Sequence, residues 1–401
     1  MIADQTAQRD GAPATGRVVA LDALRGLALL GILLVNIRHF ASAFYGVGLA
    51  DPLFSGFADR LVEFLVGWLL GLKFYLIFSL LFGYSVALQI RAADRAGVPF
   101  APRFLRRQAS LWLIGALHAV LLFHGDILTT YAVLGVVLML VRKRSDDSLL
   151  RLATWLIGGT VFFWTALGSL LAAFPPEFDQ ISALERAEAA MQAYRAAPMT
   201  VIAQHVRELS WVSVTIATVQ APCALAMFMV GLVMGRRRVL EQPDRHRAQL
   251  RRLAHWGLLL GLLGSAPSAF CNAIMPDSSW APLALALSLL SAPLLAGAYV
   301  AIALLFFQSR SGAAVRDALA PAGRMALSNY LAQSLVCSLV FHAYGFGLVG
   351  QVAPLPALML GVLIFLVQLA LSRWWMQRFG RGPLEAILPR ATPAGLPAIA
   401  G

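Results

Sequence analysis

Residues 18–38 read Val18-Val19-Ala20-Leu21-Asp22-Ala23-Leu24-Arg25-Gly26-Leu27-Ala28-Leu29-Leu30-Gly31-Ile32-Leu33-Leu34-Val35-Asn36-Ile37-Arg38. As a helix rising 1.5 Å per residue, the stretch crosses the roughly 30 Å of a bilayer's hydrocarbon. Nine further apolar stretches follow, at 69–91, 105–123, 126–141, 149–174, 212–235, 253–275, 282–307, 325–345 and 355–376. Basic residues alternate strictly between the gaps. The gaps 1–25, 91–107, 142–151, 236–252, 310–324 and 373–390 hold 26 of the 32 Lys and Arg. The remaining six are Arg38, Arg60, Lys73, Arg186, Arg195 and Arg207. Short cytoplasmic loops retain positive charge. The expected fold is therefore all-α, a polytopic integral membrane bundle of about ten transmembrane helices with both termini cytoplasmic.

Composition agrees. Hydrophobic residues make up 59% of the chain and charged ones 13%, against about 25% charged in soluble domains. The net charge of +12 does not indicate nucleic acid, because a DNA-binding face gathers its charge on one element. Ten acidic residues fall on each side, leaving the inner side at +16 and the outer side at −4. A basic inner face suits an anionic leaflet, or an anionic cytosolic substrate. Cys223, Cys271 and Cys337 lie inside apolar stretches without metal-ligand spacing and are expected as small buried residues. No cleavage site follows the first apolar run, so that helix is expected to remain as a signal anchor.

The expected organisation is a disordered tail over 1–17, an N-terminal transmembrane half over 18–235, a basic cytoplasmic linker over 236–252, a C-terminal half over 253–389 and a disordered tail over 390–401. Two external segments are long enough to carry structure. Residues 39–68 contain the amphipathic run Phe57 to Phe64, placed at the interface. Residues 175–211 open with Pro175-Pro176 and continue as one or two external amphipathic helices, a connector or a lid. Gly125-Asp126 breaks what would otherwise be one overlong helix and predicts a tight external turn. No repeat relates the halves, which weighs against an inverted-repeat transporter.

Ionisable groups inside spans are costly and need partners. Asp22 and Arg25 share a face at i, i+3 and can pair. Arg25 and Asn36 are eleven residues apart, about 1100° of rotation, so they lie within roughly 20° of one face. Lys73 lies near the outer boundary and Asp126 is its expected partner. His118, two turns before Asp126, faces the bundle, whereas His124 is expected to face water. His118, Asp126, Lys73, His39 and Asn36 fall at one depth. A histidine oriented by an aspartate suits general-base activation of a hydroxyl or amine; the plain alternative is a satisfied core histidine. Tyr75 and Tyr131 flank this layer. Asn329 and Gln333, at i, i+4, either line a polar channel or bond a neighbouring helix. Arg324 lies at the inner mouth.

Leu21-Asp22-Ala23-Leu24-Arg25-Gly26-Leu27-Ala28-Leu29 with Val35-Asn36-Ile37 resembles the first helix of the YeiB-like family of bacterial inner-membrane proteins. Four further motifs resemble it in order: Lys73-Phe74-Tyr75 to Phe82-Gly83-Tyr84; Gly125-Asp126-Ile127-Leu128 with Tyr131; Gly323-Arg324-Met325 with Asn329-Tyr330; and Gly382-Pro383-Leu384-Glu385. The resemblance covers about Arg17 to Pro389, and the C-terminal half corresponds to a domain of unknown function. It implies a multi-pass protein of the bacterial cytoplasmic membrane. More distantly, the first helix is similar to the transmembrane acyltransferase superfamily, including the acyltransferase-three proteins and the heparan-glucosaminide acetyltransferases. The former carry an arginine, ten residues, then a catalytic histidine. Here Arg25 is followed at that spacing by Asn36, which cannot act as a base, so His39 or His118 must.

The distant resemblance is one of fold and implies an acyltransferase. A cytoplasmic donor such as acyl-CoA would approach Arg25 and Arg324, with Asp22, Tyr75, Tyr131, Asn329 and Gln333 in the binding set. His118 or His39 would deprotonate an outer-face glycan or lipid, with Asn36 at the oxyanion. Asp126 would orient the histidine and Lys73 balance its charge. Acyl-CoA enters as co-substrate and no cofactor is expected to bind tightly; membrane lipid is the surrounding partner, and a homodimer is compatible. The alternatives are a transporter or exporter, whose proton relay the same charges would form, and a scaffold in which the pairs only hold helices together. The charge alternation predicts that Arg186→Cys is labelled by an impermeant maleimide from outside the cell and Arg237→Cys only after permeabilisation. Labelling from the opposite sides would invert the topology.

Overall fold

The computed structural model describes residues 18–47, 49–174, 180–276 and 278–388. The two expected tails, Gly48 and Pro175-Pro176 lie outside the described residues. The helices in chain order are α1 Val19–Ala41, α2 Phe57–Leu69, α3 Phe74–Arg95, α4 Phe100–Leu121, α5 Leu128–Val141, α6 Asp146–Ala173, α7 Gln180–Ala196 and α8 Pro198–Thr215. They continue with α9 Ala221–Arg236, α10 Arg247–Ile274, α11 Ala281–Phe306, α12 Arg310–Arg324, α13 Ala326–Phe341, α14 Pro354–Phe379 and α15 Pro383–Ile387. No strand occurs among the described residues, as expected where hydrocarbon forces backbone polar groups to be satisfied within a segment.

Seven helical stretches are long and apolar enough to cross a membrane: α1, α2 with α3, α6, α8 with α9, α10, α11, and α14 with α15. The apolar α5 and α13 are shorter, at 14 and 16 residues, and α4 has 22 residues with its basic residues in the first half. All ten expected spans thus have a helix, and the amphipathic run at 57–64 lies in α2. The external segment forms α7 and α8, and α8 runs on into α9 through a π-helical turn at Ile216–Gln220. All three cysteines are buried and free.

Two features differ from the sequence reading. Residues 310–324, expected only as an inner gap, form α12, a small amphipathic helix capped by Ser309, whose hydroxyl accepts from the Gly312 amide at 3.0 Å. It packs across the first turns of α1. The crossing depends on two missing side chains: a Cβ on Gly323 would strike the Asp22 carbonyl, and one on Gly26 would lie 2.5 Å from the Leu319 carbonyl oxygen. The second feature is the length of α5 and α13. At 1.5 Å per residue they reach only about 21 and 24 Å, short of the hydrocarbon thickness. Helices α7 and α8 pack over the turn after α4 and the loop after α13. Arg195 of α7 donates two hydrogen bonds to the Val349 carbonyl, at 3.0 and 2.6 Å, and the Ala343 amide donates to the Tyr194 carbonyl at 2.8 Å.

Gly323→Val should lower stability by about 1–3 kcal/mol, the usual cost of overpacking, read as a lower melting midpoint in detergent. Gly159→Val, at a position with open space around it, should leave the midpoint unchanged. Equal shifts would mean that the crossing of α1 and α12 is not close.

Candidate functional site

A cavity of about 90 Å³ opens inside the bundle. That is enough for several waters or a slender chain. Its walls come from helical stripes. On α1 these are Arg25, Leu29 and Ile32; on α3 Phe78, Phe82, Ser85 and Gln89; on α4 Phe104, Arg107 and Leu111; on α13 Leu327 and Tyr330. Tyr131 of α5 closes one side, and Gly323 and Glu385 lie at the cytoplasmic end. The cavity is thus apolar for most of its length and basic at its inner mouth.

The mouth is built by short-range pairing. Asp22 Oδ1 accepts from Arg25 Nη1 at 3.3 Å, as the i, i+3 spacing predicted, and Arg25 Nη2 donates to the Ser85 hydroxyl. Arg107 lies within electrostatic reach of Arg25, Glu385 and Arg381 and makes no hydrogen bond among the described residues. Glu385 caps α13: its carboxylate accepts from the Leu327 and Ser328 amides, at 2.8 and 3.1 Å, and from the Ser328 hydroxyl at 2.5 Å. A carboxylate at a helix N-terminus answers the exposed N–H groups and the dipole there. This explains why Gly382-Pro383-Leu384-Glu385 stands apart in the sequence: Pro383 starts α15 and Glu385 reaches back to hold α13.

Above the cavity each stripe continues into a polar residue. Asn36 follows Ile32 by four residues and is half-buried. His118 follows Arg107 by eleven, and Ser334 follows Tyr330 by four, both on the faces that line the cavity. His118 and Ser334 meet. His118 Nε2 lies 2.8 Å from Ser334 Oγ, and His118 Nδ1 lies 2.9 Å from Asp126 Oδ1. Asp126 Oδ2 accepts from the Thr129 amide at 2.8 Å and the Thr129 hydroxyl at 3.0 Å, capping α5. His118, Asp126 and Ser334 are each 2–3% exposed. The His118 and Tyr330 rings are 5.0 Å apart, so this trio stands directly behind a cavity wall. Tyr131 donates to the Tyr75 carbonyl at 2.8 Å.

The expected layer of five polar residues divides. Lys73 does not pair with Asp126; it donates to the Gly67 carbonyl at 3.1 Å. The α2–α3 turn passes through Leu72 at φ +63°, which folds Lys73 back onto the last turn of α2, where the helix dipole favours a cation. His39 belongs to a separate outer cluster near His124 and Glu208. His124 does not face water: its Nδ1 lies 2.7 Å from Glu208 Oε2, and its side chain is 11% exposed. Glu208 also accepts from Tyr194 at 2.7 Å. The Tyr194 ring stacks on His342 at 4.4 Å. Burial first, then the Glu208 carboxylate, raises the Tyr194 phenol above its ordinary range, so it remains a donor. Asn329 and Gln333 do not line the cavity; Asn329 donates to Ser372 at 2.9 Å and Gln333 to Gln368 at 2.9 Å, tying α13 to α14. Arg324 donates to the Gly380 carbonyl at 3.1 Å, closing the end of α14.

Sequence reading missed Arg107, Gln89 and Ser334 as site residues. Arg107 and His118 repeat the eleven-residue spacing of Arg25 and Asn36, and Leu327, Tyr330 and Ser334 follow i, i+3, i+7; both signals were present.

Residues 234–394 match the family described as "protein of unknown function (DUF418)". Relatives also match over most of the chain. It is 31% identical over 395 residues to the uncharacterized protein YxaH of Bacillus subtilis (strain 168), covering 94% of each chain. It is 28% identical over 388 residues to an uncharacterized 39.9 kDa protein in the amylase 3′ region of Bacillus acidopullulyticus, covering 92% of each. It is 28% identical over 391 residues to the uncharacterized protein YeiB of Escherichia coli (strain K12), covering 92% of this chain and 94% of that one.

Asp126→Ala strands the His118 Nδ1 and the Thr129 amide together, whereas Ser334→Ala strands only the His118 Nε2. Each buried unsatisfied group costs about 1–3 kcal/mol. Thermal unfolding in detergent should show Asp126→Ala losing roughly twice as much as Ser334→Ala. Equal losses would mean that Asp126 does not serve both partners.

Proposed function

The chain belongs to the family of YeiB- and YxaH-like multi-pass membrane proteins, and from that premise we propose that it is a transmembrane acyltransferase of the bacterial cytoplasmic membrane. The observation that carries the reading is the stacking of two parts along one axis. A chamber with a basic cytoplasmic mouth and apolar walls lies directly below a buried histidine held by a carboxylate.

An acyl-CoA-like donor matches the first part. Its phosphates are anionic and suit Arg25 and Arg107 at the mouth, where guanidinium groups bind phosphate with directional hydrogen bonds. Its acyl chain is apolar and suits Phe78, Phe82, Phe104 and Leu111. The second part supplies proton transfer. Asp126 accepts from Nδ1–H and so leaves Nε2 of His118 as the basic nitrogen, the arrangement of a general base. Asn36, at the top of the α1 stripe, would donate to a developing oxyanion. The acceptor is a hydroxyl or amine of a glycan or lipid reaching in from the outer side. Lys73 and His39 have no part in this chemistry as the geometry stands, since neither reaches His118.

Membranes carrying the wild-type chain should release CoA from an acyl-CoA donor, and His118→Ala should lower that release at least a hundredfold, the scale of general-base catalysis. Arg107→Ala should instead raise KM for the donor with kcat little changed, the signature of lost ground-state binding. Unchanged release in His118→Ala would remove His118 from the mechanism. Proton-driven solute flux in proteoliposomes without an acyl donor would favour a transporter instead.

A further inference from the structure

We propose that Ser334 is the nucleophile of the transfer and carries the acyl group as a serine ester between donor and acceptor. This rests on the acyltransferase reading and specifies its chemical route. The geometry comes from three elements. Ser334 on α13 meets His118 Nε2 at 2.8 Å, His118 on α4 meets Asp126 Oδ1 at 2.9 Å, and Asp126 is held in turn by two donors from Thr129. A nucleophile, a base and an orienting carboxylate in this order are recognised by geometry and role, whatever the fold. The Ser334 hydroxyl makes no other hydrogen bond among the described residues. In this respect it differs from Ser79, Ser85, Thr160 and Ser265, whose hydroxyls return to a carbonyl four residues back on their own helix. That local bond is the usual resting place of a serine or threonine inside an apolar helix, and Ser334 turns instead to the imidazole.

Position supports the assignment. Ser334 lies one turn beyond Tyr330, and Tyr330 lines the chamber. The Tyr330 hydroxyl lies near the Ile127 backbone yet has no hydrogen bond of normal geometry. It is thus a buried donor on a residue that both lines the chamber and lies 5.0 Å from the His118 ring, suited to the carbonyl oxygen of an incoming acyl group. The route also answers a difficulty of direct transfer. Donor and acceptor approach from opposite faces, and in the resting geometry the Ser334 hydroxyl already occupies the basic nitrogen that an acceptor hydroxyl would need.

The steps balance. Ser334 Oγ attacks the thioester carbonyl carbon as its proton passes to His118 Nε2. The C–S bond breaks, and the thiolate leaves with that proton as free thiol. The acceptor hydroxyl then attacks the Ser334 ester, giving its proton to His118. The acyl C–Oγ bond breaks, and the proton returns to Ser334.

The test uses the full-length chain in detergent and in membranes. A long-alkyl fluorophosphonate should modify Ser334, seen by peptide mass spectrometry, with modification at least tenfold lower in His118→Ala. Acid quenching after incubation with acetyl-CoA or palmitoyl-CoA should reveal an acyl ester on Ser334. Ser334→Ala should lose CoA release as completely as His118→Ala, and Ser334→Cys should trap the acyl group as a thioester cleaved by hydroxylamine, which also shows that a substituted chain folds. Full CoA release by Ser334→Ala, with His118→Ala inactive, overturns the proposal and leaves direct transfer standing. Absence of both modifications at Ser334 overturns it as well. If the wild type releases no CoA and forms no acyl ester, acyl transfer itself fails, and fluorophosphonate modification then reports only a reactive serine.

Discussion

A carboxylate inside a bilayer must have a donor for each of its oxygens, and the arrangement around Asp126 follows from that requirement. Leaving a buried charge unpaired costs several kcal/mol, so Asp126 can lie 2% exposed only because Thr129 and His118 both turn to it. Satisfying the carboxylate shapes the protein around it. The Thr129 bonds start α5, the His118 bond brings α4 back against that start, and the second nitrogen of His118 reaches α13 through Ser334. Three helices are thereby held at one point. A Cβ on Gly115 would lie 2.9 Å from Asp126 Oδ2, so the close approach of α4 also depends on that glycine.

The same economy of polar groups separates the inner and outer sides. At the cytoplasmic mouth, Glu385 answers the amides at the start of α13 and α12 lies across α1 at Gly26 and Gly323. The family-like motifs at residues 21–29, 323–325 and 382–385 thus mark one structural joint, where chain segments hundreds of residues apart close the base of the chamber. At the other end, α7 and α8 cover the turn before α5 and the loop after α13. The polar groups beneath that roof pair chiefly with one another, Glu208 with His124 and Tyr194, while the His342 ring nitrogens have no hydrogen-bond partner among the described residues. Phe40 and Phe123, stacked at 4.5 Å, lie between this cluster and the His118 layer. The outer histidines therefore group with the roof, and of the candidate histidines only His118 stands behind a chamber wall.

How much of the site was legible differs residue by residue. The pairings of Asp22 with Arg25 and of His118 with Asp126 were readable because both are local: i, i+3 on one helix in the first case, and a helix end with its own turn in the second. The pairing expected for Lys73 failed because opposite charge and similar depth do not determine direction, and the left-handed Leu72 turns the ammonium to its own helix. His124 was expected in water because its turn looked exposed; α8, contributed from residue 198 onward, supplies Glu208 and covers it. Asn329 and Gln333 were left between channel and packing, and packing against α14 is what the structure shows.

The alternation of arginine and the lengths of the apolar runs determined, without coordinates, that the chain is a helical membrane bundle with both ends inside. Helical periodicity further determined that Arg25 and Asn36 share a stripe. These properties are written within single segments, where translocation cost and a rotation of 100° per residue act on neighbours in sequence. Tertiary structure alone decided which stripes face one another. His118 and Ser334 are 216 positions apart, and no spacing rule spans that distance, since hydrocarbon drives no particular pair of helices together and the match is made by small residues and hydrogen bonds at each interface. The chamber and the histidine behind its wall exist only once those interfaces have formed.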